Sequence, residues 1–145
     1  MDKTLDVEVA CKLTALPDLQ ARLAAFAEEA DLPPRVAFGI DLVADEIVSN
    51  IIRHGFCETV QNPDIRCEVR LTPGEAVIAF TDNGPPFDPL TEAPPPDLTE
   101  DIETRAVGGL GVHLVKAMSD RVRYVRKDDR NRLEVTWVLE PETPD

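Results

Sequence analysis

The run PRVAFGIDLVADEIVSNIIRH, from Pro34 to about His54, spaces Ile40, Val43, Ile47 and Ile51 three and four residues apart. That spacing lays one apolar stripe along a long helix. A stripe of this length must be buried against another surface, and the rest of the chain supplies strands. Residues 4–10 (TLDVEVA), 64–72 (DIRCEVRLT), 75–82 (EAVIAFTD), 121–127 (RVRYVRK) and 132–139 (RLEVTWVL) alternate apolar and polar side chains with the period of a pleated sheet. Leu5, Val7 and Val9 share one face of the first of these, and Trp137 alternates with Leu133, Val135 and Leu139 in the last.

Connections follow from turn chemistry. Pro73-Gly74 joins two strands as a hairpin, and the more fully apolar 75–82 is expected at the centre of the sheet. DDRN separates the last two strands. Residues 17–30 carry Leu19, Leu23, Phe26 and Ala30 at helical spacing, with Pro17 in the first turn, where a missing N–H costs nothing. A third helix runs from the glycines at 108 to about 120, with Leu114, Val115 and Met118 expected inside. The pattern predicts an α+β fold: a two-layer α/β sandwich with helices on one face of a mixed, mostly antiparallel sheet. At 145 residues it is read as one domain, 1–145, with a frayed tail at 140–145.

A formal net charge of −13 argues against direct nucleic-acid binding and against anionic membranes, both of which want a basic face. It leaves room for a small phosphate ligand held by backbone amides and a metal ion. No apolar run is long enough to span a bilayer, and MDKTLDVEVA lacks the layout of a signal peptide, so a cytoplasmic location is expected. Cys11, Cys57 and Cys67 have no CxxC spacing and are expected to be reduced thiols.

Three segments carry chemistry-bearing residues, and taken alone each reads first as ordinary structure. Glu46 and Asn50 lie one helical turn apart, with Arg53 and His54 a turn further on; by themselves they suit a solvated helix face. In FTDNGPPFDP (80–89), Asp82 ends a strand and Gly84 permits a tight turn, which is also common turn chemistry. VGGLGVHLV (107–115) leads glycines into a helix, where unpaired N–H groups and the helix dipole favour phosphate. Between the last two lies a stretch without periodicity, 83–107; six of the thirteen prolines fall between 85 and 96. A loop that long inside a domain is commonly a lid or disordered.

The order E-x-x-x-N on a helix, D-x-G after a strand, a long loop, then G-G-L-G entering a helix resembles the GHKL ATPase superfamily along nearly the whole chain. Sensor histidine kinases and type II topoisomerases share that fold, the Bergerat ATP-binding fold. The box G-G-L-G-V-H-L-V, and D-N-G-P-P-F-D-P in place of D-x-G-x-G, look like the small anti-sigma-factor serine/threonine kinases of bacteria. The resemblance implies ATP and Mg²⁺ as cofactors. It implies Glu46 as the general base, Asn50 as the Mg²⁺ ligand, Asp82 on the adenine amino group, and Gly84 giving room for the base. Gly109, Leu110 and Gly111 would meet the phosphates, Arg53 would approach them, and Arg105 would stand near the terminal phosphate in a lid over 88–107. His54 and His113 are read as structural. The partners implied are a sigma factor and a STAS-domain anti-anti-sigma protein phosphorylated on serine or threonine, and a homodimer is possible. Two other readings stay open: a non-catalytic, nucleotide-dependent binding module, and a detached ATPase domain serving a separate histidine protein.

Overall fold

The computed structural model describes residues 2–53, 60–86 and 109–139, leaving aside the side chains of 109–113. The long helix α2 spans Pro34–Arg53, and its buried residues include Val36, Ile40, Val43, Ala44, Ile47 and Val48, the expected stripe, while Ile51 is half-buried. Its first turn starts at the Pro33 carbonyl, which accepts from the amides of Val36 and Ala37 at 2.9 and 3.0 Å.

Ahead of it, α1 spans Leu16–Glu29 behind one 3₁₀ turn and buries Leu16, Leu19, Leu23 and Ala27. α1 ends in a Schellman motif, with Leu32 N–H donating to Ala27 O at 3.0 Å and Asp31 N–H to Glu28 O at 3.1 Å. Asp31 holds the left-handed position (φ 53°) where glycine is usual. The helix α3 covers Gly109–Met118. Val115 is buried there, but Leu114, expected inside, is 48% exposed. One residue's rotation, about 100° on a helix, carries a side chain from the core to the rim.

Five strands form one sheet in the order β1-β2-β3-β5-β4: β1 Lys3–Val9, β2 Ile65–Leu71, β3 Glu75–Asp82, β4 Arg121–Lys127 and β5 Arg130–Val138. Every described pairing is antiparallel, so the sheet expected to be mixed has no parallel pair among the described residues. The reason is the path of the chain: after β3 it returns to the sheet at the far edge as β4, and β5 then folds back between the two. β3 is the central strand, as its composition predicts.

The register lines up apolar rungs such as Val7–Cys67–Phe80–Leu133 and Ile78–Val135, which meet the helices in one core. Trp137 is fully buried and donates its Nε1–H to Met118 O at 3.1 Å, tying the end of α3 to the sheet. The other sheet face is charged, with Arg66–Asp6 at 3.3 Å and Arg132 pairing Glu134 at 2.8 Å and Glu68 at 3.7 Å. Such exposed pairs contribute roughly 0–1 kcal/mol each.

Of the cysteines, Cys67 is a free, buried thiol pushed up to about 12, chiefly by burial and then by Glu68 and Asp6. Cys11, expected reduced, is disulfide-bonded. Spacing in sequence carries no information on that proximity. His54 and Cys57 also fall outside the described residues, as do the expected lid 88–107 with Arg105 and the tail 140–145. No described helix is long and apolar enough to cross a membrane.

Candidate functional site

One rung crosses the sheet at its polar end: Val9, Ile65, Asp82, Asn131, Arg126, in strand order. Asp82 has the parity of Ile78 and Phe80, so its carboxylate belongs to the face that the helices cover, not the charged outer face. It is 7% exposed. Its Oδ1 accepts twice, from Gly84 N–H at 2.9 Å and from the Asn131 Nδ2 amide at 2.9 Å. Among the described residues no donor reaches Oδ2. Burial pushes the Asp82 carboxyl above its ordinary range, while Asn131, Gly84 N–H, Arg126 and Arg130 pull it back. The net result is a buried acceptor with one oxygen held and the other open.

The turn after Asp82 is held from two sides. From the β4–β5 hairpin, Arg126 donates to Gly84 O at 2.6 Å, and Asn131 Nδ2 also reaches Pro85 O at 2.9 Å. Tyr124 in turn donates its hydroxyl to Asn131 Oδ1. From the loop before β2, Asp64 N–H donates to Asn83 Oδ1 at 2.8 Å, and Asn83 Nδ2 donates to Asn62 O at 3.1 Å. Asp64 is itself tied to Arg130 at 2.9 Å.

On α2, Glu46 and Asn50 stand one turn apart, as the spacing predicts. Asn50 is buried at 8% exposure, and its side chain makes no hydrogen bond to a described residue. Glu46 is half-buried, and its carboxyl is pushed up by burial and by neighbouring Asp45, with exposed Arg53 opposing. A carboxylate that holds a proton more tightly is a better general base.

α3 packs against α2 and begins at Gly109, so Gly109, Leu110 and Gly111 form its first turn. The amides of a first turn have no partner within their own helix. At the other end, Ser119 donates to Val115 O at 2.7 Å and Trp137 to Met118 O. The structure thus joins Asp82 to Gly84 directly and sets Asn50 and Glu46 on the helix above the same sheet face. Arg53 lies at the exposed end of that helix, and Arg105 falls outside the described residues.

Sequence reasoning missed Asn131, Arg126 and Tyr124, which it left as parts of a turn and a strand. A signal was present. Asn131 has the parity of Leu133, Val135 and Trp137, and a polar residue in a core row asks for a partner.

A family model described as "Histidine kinase-like ATPase domain" matches residues 9–137. Serine/threonine-protein kinase BtrW of Bordetella bronchiseptica is 34% identical over 110 residues, 75% of each chain. Serine-protein kinase RsbW of Listeria monocytogenes is 25% identical over 127 residues, covering 83% of this chain and 80% of that protein. Among solved structures, the RsbU and RsbW domains of a Mycobacterium tuberculosis protein align with a TM-score of 0.66 at 16% identity. That alignment covers 96% of this chain and 33% of the solved one, and it shows the fold alone. The family match runs from the last residue of β1 to the penultimate residue of β5, taking in α2, the Asp82 turn and α3. The chain belongs to the histidine kinase-like ATPase domain family, the one to which the order of its three boxes points.

Proposed function

We propose that this protein binds ATP with Mg²⁺ and transfers the γ-phosphoryl group to a serine or threonine hydroxyl of a partner protein. The observation that carries the reading is the pairing of Glu46 with Asn50 on α2 above a sheet face that ends in Asp82. The kinase names of two relatives, BtrW and RsbW, support it. The open Oδ2 of Asp82 suits the amino group of adenine, a hydrogen-bond donor. The first-turn amides of α3, at Gly109, Leu110 and Gly111, suit phosphate oxygens. Asn50 offers a neutral oxygen of the hard kind that Mg²⁺ takes, usually beside waters and phosphates. When bound, the metal would neutralise charge on the phosphates.

The residues of this chain then have distinct tasks. Asp82 and its turn orient the base, and α3 and Arg53 hold the phosphates. Glu46 accepts the proton of the incoming hydroxyl as the new P–O bond forms and the bond to the leaving ADP oxygen breaks. In phosphoryl transfer most of the catalysis comes from such positioning. Arg105 and the segment 88–107 are proposed to cover the nucleotide. We further propose partner switching, in which the protein holds a sigma factor or instead phosphorylates a STAS-type anti-anti-sigma protein.

The test is transfer of label from γ-labelled ATP to a STAS-type protein encoded nearby. Glu46→Ala is expected to lower transfer about 10²–10⁴-fold while nucleotide still binds. Asn50→Ala is expected to remove the Mg²⁺ dependence of binding. Tight ATP binding with no transfer to any such protein would overturn the kinase reading in favour of a nucleotide-dependent binding module.

A further inference from the structure

The β4–β5 hairpin does more than close the sheet. We infer that Tyr124, Asn131 and Arg126 form a clamp that makes the site selective for a 6-amino purine, by holding the turn of residues 82–85 so that Asp82 offers Oδ2 alone to the base. The inference rests on the proposed placement of ATP and adds positioning residues to it.

The geometry is a chain of dependent bonds. Asn131 is 6% exposed and lies opposite Asp82 in the register. Its amide group has an oxygen and a nitrogen end, and the two must not exchange. With Nδ2 inward, it donates to Asp82 Oδ1 and Pro85 O, both at 2.9 Å. Turned over, it would set its oxygen against the carboxylate. The Pro85 carbonyl and the Asp82 carboxylate, which can only accept, select the inward orientation, and the Tyr124 hydroxyl then donates to Asn131 Oδ1 and holds that end of the amide. Arg126, paired with Asn131 in the same rung, then fixes the carbonyl of Gly84 at 2.6 Å. Gly84 N–H is the second donor on Oδ1. Both donors on that oxygen are therefore set from the hairpin, and only Oδ2 remains to accept. A base that presents no amino group gains nothing from this arrangement.

The experiment compares ATP with purine riboside triphosphate, the same nucleotide without the 6-amino group, by calorimetric titration. It uses the unsubstituted protein, Tyr124→Phe, Arg126→Met and Arg126→Lys. The unsubstituted protein is expected to prefer ATP. Tyr124→Phe and Arg126→Met are expected to cut that preference about tenfold by weakening ATP alone, with Arg126→Lys retaining most of it. Tyr124→Phe removes a single hydroxyl, and Arg126→Lys keeps the charge, so at least these two leave the packing in place. If the substituted proteins lose both nucleotides equally, the hairpin is merely structural and the inference fails. It fails likewise if they discriminate as the unsubstituted protein does. Equal affinity for both nucleotides in the unsubstituted protein would overturn the placement of Asp82 itself, a separate result.

Discussion

Gly39 sits in the middle of α2, where helix propensity alone says that alanine should be better by about 1 kcal/mol. The structure reverses that sign. A Cβ on Gly39 would fall 2.5 Å from Trp137 Cζ2 and 2.9 Å from Cε2, and Trp137 is fully buried in β5. Carbon atoms rest about 3.5–4.0 Å apart, so helix and indole must separate by about 1 Å. The ring cannot swing away without giving up its hydrogen bond to Met118 O. Overpacking of this kind costs about 1–3 kcal/mol. Against the propensity gain of about 1 kcal/mol, Gly39→Ala should destabilise by up to about 2 kcal/mol net, lowering Tm by up to about 6 °C in a chain of this size. The assay is urea and thermal unfolding of Gly39→Ala, Trp137→Phe and the double variant. Trp137→Phe alone should destabilise, but it makes room, so the cost of Gly39→Ala should fall toward zero in that background. The reasoning is refuted if Gly39→Ala stabilises the protein, or if its cost is the same with and without Trp137→Phe. Because α2 also carries Glu46 and Asn50, the single variant should weaken nucleotide binding as well.

Two further outcomes follow from the same structure. Glu46→Gln should make the protein free of nucleotide more stable at neutral pH. Burial raises the Glu46 carboxyl above its ordinary 4.5, so its contribution is fully present below that value and lost as pH rises through the folded-state value. The difference between variant and parent should therefore shrink to nothing on acidification below the ordinary value, read from unfolding curves at several pH values. A constant difference across pH would contradict the burial of Glu46. Asp31→Gly relieves the left-handed residue of the Schellman motif (φ 53°) and should raise stability by about 0.5–1 kcal/mol, measured by urea unfolding. A loss of stability there would show that the Asp31 side chain contributes more than the strain it causes.

Much of the architecture is legible from local pattern because period and turn chemistry are local properties. The bounds of β3 and β4 fall where alternation predicts, and α2 buries the stripe that opens the reading. The errors have a common cause. Leu114 is exposed and Cys11 is in a disulfide because both depend on what stands opposite, which no local window contains. Antiparallel pairing throughout the described sheet, likewise, depends on which strand β5 takes as its neighbour.

For the site, the kinds of group and their order could be read along the chain: a carboxylate and amide one turn apart, an acidic strand end, a glycine-led helix. Spacing on a helix and parity on a strand follow from backbone geometry, and no fold is needed to read them. That Asp82 stands in register with Asn131, with one oxygen held and the other open, emerges only when β3 and β5 are side by side. That Gly39 is glycine for the sake of an indole about a hundred residues on emerges only when α2 lies on the sheet. Both are contacts between segments far apart in the chain, set by how sheet and helices pack, and a contact exists only once both sides are in place.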